Sequence, residues 1–331
     1  MEFVSKFVRE GASAISSLFN GRDFTDITFL GQGGDIKFEL RFNDARYVLH
    51  MSLGFLKEEV RCNGKLIFSR SSTSEREKVS YLDMHNTQKT VSLSPIHNTV
   101  VGQISIPLID IVKRGVCDDL SNITRKLSLI RTYSFDPDAI RSRSTVGAPV
   151  ELSRRGNNLA RVVLHYYLEK RDLFNELENI FKMLIPDVKE VVPVLREGVV
   201  WIAFREKYSN MLIDPEFLSD GSLRLLALLV SLLGEGPVVA YEEPENFIHP
   251  HLLESVVDIV KKSGKTVIIT THSPYLLDYV EPKDIILVTK VNGETKLRRL
   301  VDTDEINVVK KYLEEGGTLG EAWFSGLMGE V

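Results

Sequence analysis

The chain has 331 residues, 43% hydrophobic and 26% charged, with a formal net charge of −5; this is the balance of a globular protein with a large core, and it gives no global basic field to draw in nucleic acid. Two distant cysteines, Cys62 and Cys117, point to neither a disulfide framework nor a zinc site, and the longest mainly apolar run, residues 225–233, falls far short of the roughly 20 needed to cross a bilayer. The start Met1-Glu2-Phe3 does not read as a signal peptide, so a cytoplasmic location is expected.

In chain order, Phe3, Val4, Phe7, Val8, Ile15, Leu18 and Phe19 recur at helical spacing. Gly31-Gln32-Gly33-Gly34 has the wrong spacing for a phosphate loop and reads as a turn. Ile36, Phe38, Leu40 and Phe42 alternate as in a strand, as do Tyr47, Leu49 and Met51, with Asn43-Asp44 between them. Residues 58–62 and 65–69 bracket Asn63-Gly64, a hairpin signal. Residues 86–116 are mixed in pattern. Residues 158–184 read as helical, with Leu159, Val162, Val163, Tyr166 and Tyr167 on one face, and 199–204 as a strand. From Leu218 onward helix and strand alternate, which implies parallel βαβ units. Asn292-Gly293 closes a late hairpin between 285–290 and 295–300. The expected fold is α/β in two lobes: 1–150 with a helix, an antiparallel sheet and a helical part, and 151–331 with a parallel sheet.

Three segments of the second lobe carry chemistry. In VVAYEEPENFIHP (238–250) a buried strand ends in Glu242 and Glu243. Acids at the carboxyl end of such a strand sit where open α/β sheets bind ligands; one can hold Mg²⁺ and the other orient a water for attack on a phosphate. LSDGSLR (218–224) places the cap residues Ser219 and Asp220, then Gly221 and Ser222, before an apolar helix, a candidate anion site. In TVIITTHSPYLLDYV (266–280) a β-branched strand runs into Thr271, His272 and Ser273, and Pro274 opens a helix. Arg125, Lys126, Arg131, Arg141, Arg143, Arg154 and Arg155 cluster in the middle of the chain. They fit a DNA-backbone track, a nucleotide contact or a solvated loop; the negative overall charge and sparse aromatics favour the last.

The order of capped helix, acidic strand end, helix and histidine strand end resembles the ATP-binding-cassette heads of the RecF/SMC type, and more closely the compact predicted-ATPase family that includes OLD-like and bacterial-defence ATPases. LSDGSLR stands where the ABC signature stands, AYEEPENFIHPHLL looks like Walker B with the following D-loop, and ITTHSPYLL looks like the switch-histidine loop. SFDPDAIR (134–141), LSRRGNNLA (152–160) and TLGEAWFSGLMG (318–329) also read like that family. The resemblance implies a head that dimerises head to tail around two ATP molecules. Glu242 would help hold Mg²⁺, Glu243 would orient the attacking water and His272 would bond the γ-phosphate. Ser219, Asp220, Gly221 and Ser222 would cap the partner head's nucleotide.

The chain contains no G-x-x-x-x-G-K-[ST]. Its single G-K-[ST], Gly264-Lys265-Thr266, has Ile259 where the first glycine should stand and lies between a helix and a strand, the reverse of a P-loop. The expectation is a chain that starts just downstream of the nucleotide cradle, through an internal start codon, a mis-called gene start or a split gene. As numbered it should bind ATP weakly. Family heads also place the P-loop strand beside the strand of the switch histidine, here 267–270, which would leave that edge open. Long heptad coiled coils and a Toprim nuclease domain are not expected in these 331 residues, so a nuclease or toxin, if involved, is expected on a separate chain. The alternative is a non-hydrolysing scaffold that dimerises and recruits such a partner.

Overall fold

The computed structural model describes residues 1–11, 13–14, 34–73, 76–93, 98–99, 102–103, 107–246 and 248–329. The Gly31-Gln32-Gly33 turn and the helical positions Ile15, Leu18 and Phe19 lie outside them. Two compact units are present, Met1–Ile130 and Arg131–Val331.

In the first unit, α1 (Glu2–Glu10) buries Val4, Phe7 and Val8 and ends at Gly11. An antiparallel six-stranded meander follows: β1 (Ile36–Phe42), β2 (Ala45–Ser52), β3 (Phe55–Cys62), β4 (Lys65–Thr73), β5 (Glu77–Leu82) and β6 (Gln88–Leu93). The alternation read from sequence holds: Tyr47, Leu49 and Met51 are buried on one face of β2. Asn43 at φ +48°, and Asn63 and Gly64 at +49° and +76°, supply the left-handed turns that tight hairpins need. The mixed stretch 86–116 resolves into β6, the two-residue strands β7 (Asn98–Thr99) and β8 (Gly102–Gln103), and α2 (Leu108–Val112); α3 (Asp118–Ser128) comes next. Glu58, Arg70 and Glu77 are fully buried, with Arg70 Nε 3.4 Å from each carboxylate and the Tyr47 hydroxyl donating to Glu58 at 2.8 Å. Burial pushes the Glu58 carboxyl up, against the pull of Arg70.

The second unit contains a parallel and an antiparallel sheet. β9 (Arg131–Tyr133), α4 (Pro137–Arg141) and β10 (Ser144–Thr145) open it. The helical stretch after residue 158 is two helices, α5 (Leu159–Glu169) and α6 (Arg171–Leu184), broken at Lys170, where φ −130° and ψ 59° leave the helical region. β11 (Val188–Arg196) and β12 (Val199–Glu206) form an antiparallel pair flanked by β10 and β13 (Leu212–Ile213). Then come α7 (Asp220–Leu233), β14 (Val238–Glu242), α8 (Leu253–Lys262), β15 (Thr266–Thr270) and α9 (Pro274–Leu277). The parallel sheet has the order β15-β14-β9. α7 is buried almost all round, Leu223, Leu225 to Val230 and Leu232 included, as a helix packed on several sides must be. β14 is covered, whereas β15 alternates between exposed and half-buried residues, and Ile268 keeps 43% of its surface exposed. A smaller core forms around the hairpin β16 (Ile286–Val291) and β17 (Glu294–Arg299) with α10 (Ile306–Glu314) and α11 (Leu319–Phe324). That hairpin turns at Asn292-Gly293, as its sequence predicts.

Gly264-Lys265-Thr266 joins α8 to β15, and its lysine is structural. The Lys265 ammonium donates to the carbonyls of Gly234 at 2.7 Å and Gly236 at 2.6 Å, pinning the α7–β14 connection. Burial lowers its pKa from the ordinary lysine value. Lys265→Met is expected to destabilise the chain by about 2 kcal/mol, since hydrogen bonds to a charged group are lost and two carbonyls are stranded; urea unfolding measures it, and an unchanged midpoint would refute this role.

Candidate functional site

Glu242 and Thr270 are register partners at the ends of β14 and β15, so both strands open on one edge. The Glu243 N–H donates to the Thr270 carbonyl at 2.9 Å and extends the ladder by one bond. To do so Glu243 adopts φ +43°, a left-handed conformation that costs a residue with a Cβ about 1–2 kcal/mol. Its Oε2 accepts from Asn246 Nδ2 at 2.7 Å. Glu242 is exposed and takes Arg154 at 3.3 Å. His272 stands exposed two residues beyond Thr270. Glu242, Glu243 and His272 therefore share one strand-end edge.

α7 touches β14 through Ser231 Oγ, 2.6 Å from the Tyr241 hydroxyl. Ser219 caps α7, its Oγ accepting the Ser222 N–H at 3.1 Å, a cap worth about 1 kcal/mol; Asp220, Gly221 and Ser222 form the first turn. Arg141 holds this start in place, donating to the carbonyls of Pro215 (3.2 Å) and Leu218 (2.8 Å) and to Asp220 Oδ1 (2.5 Å). Burial pulls the Arg224 guanidinium, one turn into α7, below its ordinary value, against the attraction of the carboxylates of Asp136, Asp220, Glu243 and Glu245. That shared set of neighbours ties the helix start to the acidic loop.

The two upstream motifs close around this site. The backbone N–H groups of Ser134 and Asp136 donate to the carbonyls of Arg154 (3.0 Å) and Arg155 (3.2 Å). Asp136 caps α4 and also takes Arg155. Gly156 sits at φ +84°, where a Cβ would fall 2.7 Å from Ile140, so the turn has no room for a side chain. Arg131, Arg141, Arg143, Arg154 and Arg155 each face a carboxylate: Glu151, Asp220, Glu216, Glu242 and Asp136. These arginines thus pair with acids of their own unit, a partnership the sequence reading did not name. Behind the strand ends, Tyr133, Phe135 and Tyr241 stack with centroids 5.1–6.2 Å apart.

The TLGEAWFSGLMG ending is also placed. Thr318 and Glu321 form a capping box at the start of α11. The Gly320 N–H donates to Asp278 at 2.8 Å, and a Cβ there would lie 2.3 Å from the Pro274 carbonyl. Only glycine lets α11 approach the helix that follows His272 this closely.

Among the described residues no group of three or more His, Cys, Asp or Glu is arranged to hold a metal ion by itself, and no helix is long and apolar enough to cross a membrane. Residues 133–278 match a family described as "AAA domain, putative AbiEii toxin, Type IV TA system". ATP-binding cassette sub-family A member 17 of Rattus norvegicus is 32% identical over 89 residues, 26% of this chain and 5% of that protein. Its Mus musculus counterpart is 40% identical over 58 residues, 17% of this chain and 3% of that protein. The chain thus spans about a twentieth of these relatives or less. Among solved structures, the Smc head domain with an extended coiled coil from Pyrococcus furiosus has a TM-score of 0.40 at 13% identity, covering 95% of this chain and 88% of that one. The SMC head domain from Thermotoga maritima has a TM-score of 0.35 at 15% identity, covering 75% of each chain. Residues 133–278 of this chain are thus similar to that AAA-domain family, and a stretch of 89 residues is similar to an ATP-binding cassette protein.

Proposed function

We propose that this chain is the acid- and histidine-bearing part of an ATP-hydrolysing head that dimerises when ATP binds. The observation that carries this reading is the meeting of Glu242, Glu243 and His272 on one strand-end edge, with Glu243 held in a left-handed backbone by its bond to Thr270. Glu243 orients the attacking water and accepts its proton, and the Asn246 amide fixes its carboxylate. His272, exposed at the neighbouring strand end, donates to the γ-phosphate. Ser219 to Ser222 present a helix N-terminus to the nucleotide of a second head.

A hard cation takes carboxylate oxygens, and Glu242 offers an exposed one at the strand end, so the residues present fit Mg²⁺ once Arg154 is drawn aside. Bound there, Mg²⁺ would neutralise charge developing on the phosphates. No G-x-x-x-x-G-K-[ST] occurs in the 331 residues, so the phosphate cradle must come from a segment outside them. β15 has a strand on one side only among the described residues, which leaves an edge where such a segment can join.

Calorimetry with ATP and Mg²⁺ tests the reading. The 331-residue chain alone is expected to bind ATP weakly and hydrolyse it at background. The same chain supplied with a strand–P-loop segment at its N-terminus should gain both activities and dimerise with ATP. Tight binding by the chain alone, or no gain with the segment, would overturn the proposal. The absent P-loop and the Arg154–Glu242 pair also favour a second reading, a non-hydrolysing scaffold that recruits a separate nuclease or toxin chain. Under it the supplied segment restores nothing.

A further inference from the structure

The loop after β14 carries a third acid that none of these roles uses. Glu245 is only 8% exposed, two residues beyond Glu243. The Thr271 hydroxyl donates to Glu245 Oε1. The same Thr271 oxygen accepts the Ser273 N–H at 2.9 Å. A threonine hydroxyl has one proton to give, so pointing it at the carboxylate leaves its lone pairs free for the amide. His272 is the residue between Thr271 and Ser273, so the backbone on both of its sides is tied to one buried carboxylate.

The acidic loop is held by its own backbone. The Ile248 N–H donates to the Glu245 carbonyl at 2.9 Å and the Asn246 N–H to the Glu243 carbonyl at 3.2 Å, which closes two successive turns. Glu245 Oε2 is buried and has no hydrogen-bond donor among the described residues. Burying a carboxylate is unfavourable unless it is hydrogen-bonded, and the Thr271 hydroxyl supplies such a bond to Oε1. On its other side lies α7, whose Arg224 is attracted by Glu245 and Glu243 together.

We infer that Glu245 is a positioning residue: through the Thr271 hydroxyl it locks the His272 loop onto the loop that carries Glu243. This keeps the histidine and the water-orienting acid in fixed relation, the kind of placement on which phosphoryl transfer depends. The inference rests on the roles proposed above for His272 and Glu243, but the lock itself is measurable without ATP.

Hydrogen exchange on the 331-residue chain tests the lock. Thr271→Val removes the hydroxyl at nearly constant shape, and Thr271→Ser keeps it. Thr271→Val is expected to speed exchange of the His272 and Ser273 amides by about tenfold, through easier local opening, with other segments unchanged. Thr271→Ser should restore wild-type protection. Glu245→Ala should speed exchange of the His272 amide, with a smaller effect at Ser273, whose N–H keeps the Thr271 oxygen as acceptor; added to Thr271→Val it should add nothing further, because the bond it removes is already gone. Unchanged protection in Thr271→Val, or additive effects in the double variant, would overturn the lock. Should Glu245→Ala fail to fold, Glu245→Met, of similar length and without an acceptor oxygen, takes its place in the same comparison. In the chain supplied with a P-loop, Thr271→Val should lower kcat with little change in KM for ATP, and Thr271→Ser should recover it. Faster exchange with an unchanged kcat would leave the lock standing and instead refute the roles given to His272 and Glu243.

Discussion

With a P-loop segment supplied, Glu243→Gln is expected to lower ATP turnover by about 10²–10⁴-fold, the span that a positioned general base contributes, while ATP binding persists. Glutamine is nearly isosteric and can still accept the Asn246 hydrogen bond, so the left-handed turn and the bond to Thr270 survive. What it lacks is a carboxylate able to take a proton from water. Because binding is spared, the ATP-bound dimer should accumulate and be visible by gel filtration. A variant that turns over at the wild-type rate would remove Glu243 from the reaction and leave the acidic strand end without a catalytic reading.

The second large effect is expected in the sheet. In the 331-residue chain, amides of residues 267–270 should exchange about tenfold faster or more than those of 238–241, since local openings range in free energy from near zero up to that of global unfolding. β14 is hydrogen-bonded on both sides, to β9 and β15, and its side chains are covered. β15 is bonded on one side among the described residues and exposes Ile268. Parallel strands are normally covered on both faces, and an open apolar edge invites pairing with another chain. Self-association without ATP would accompany the rapid exchange. Equal, high protection in a monomer would mean that the edge is already filled.

Local chemistry that dominates its own neighbourhood was legible in the residues. Asn63-Gly64 and Asn292-Gly293 dictate their hairpins, because few other pairs take two left-handed conformations in succession. Ser219 marked the start of α7, since a side-chain oxygen satisfies an otherwise orphaned amide. The strand ends at Glu242 and Thr270 followed from apolar runs meeting acids and a His-Ser-Pro sequence. Features set by distant partners were not legible. β9 is three residues long, and only its pairing to β14 makes it a strand. The break at Lys170 leaves no mark in a pattern that stays amphipathic on both sides. The acids that the arginines pair with were not legible because they are scattered in sequence, Asp220 lying 79 residues from Arg141 and Glu242 lying 88 from Arg154. Glu245 was hidden for the same reason: nothing in E-P-E distinguishes the acid that will be buried from those that stay wet.

Among the described residues, the non-glycine positions with positive φ are Asn43, Asn63, Asn86, Asn210 and Asn292, together with Glu197 and Glu243. Asparagine tolerates that conformation through local hydrogen bonding, and glutamate has no such relief. Glu243 therefore holds a place that its own backbone would concede more readily to Asn or Gly. On the role proposed for Glu243, stability and turnover pull in opposite directions there. A selection that rewards heat resistance alone would drift toward Asn or Gly at this position and return a sturdier protein with a silent site.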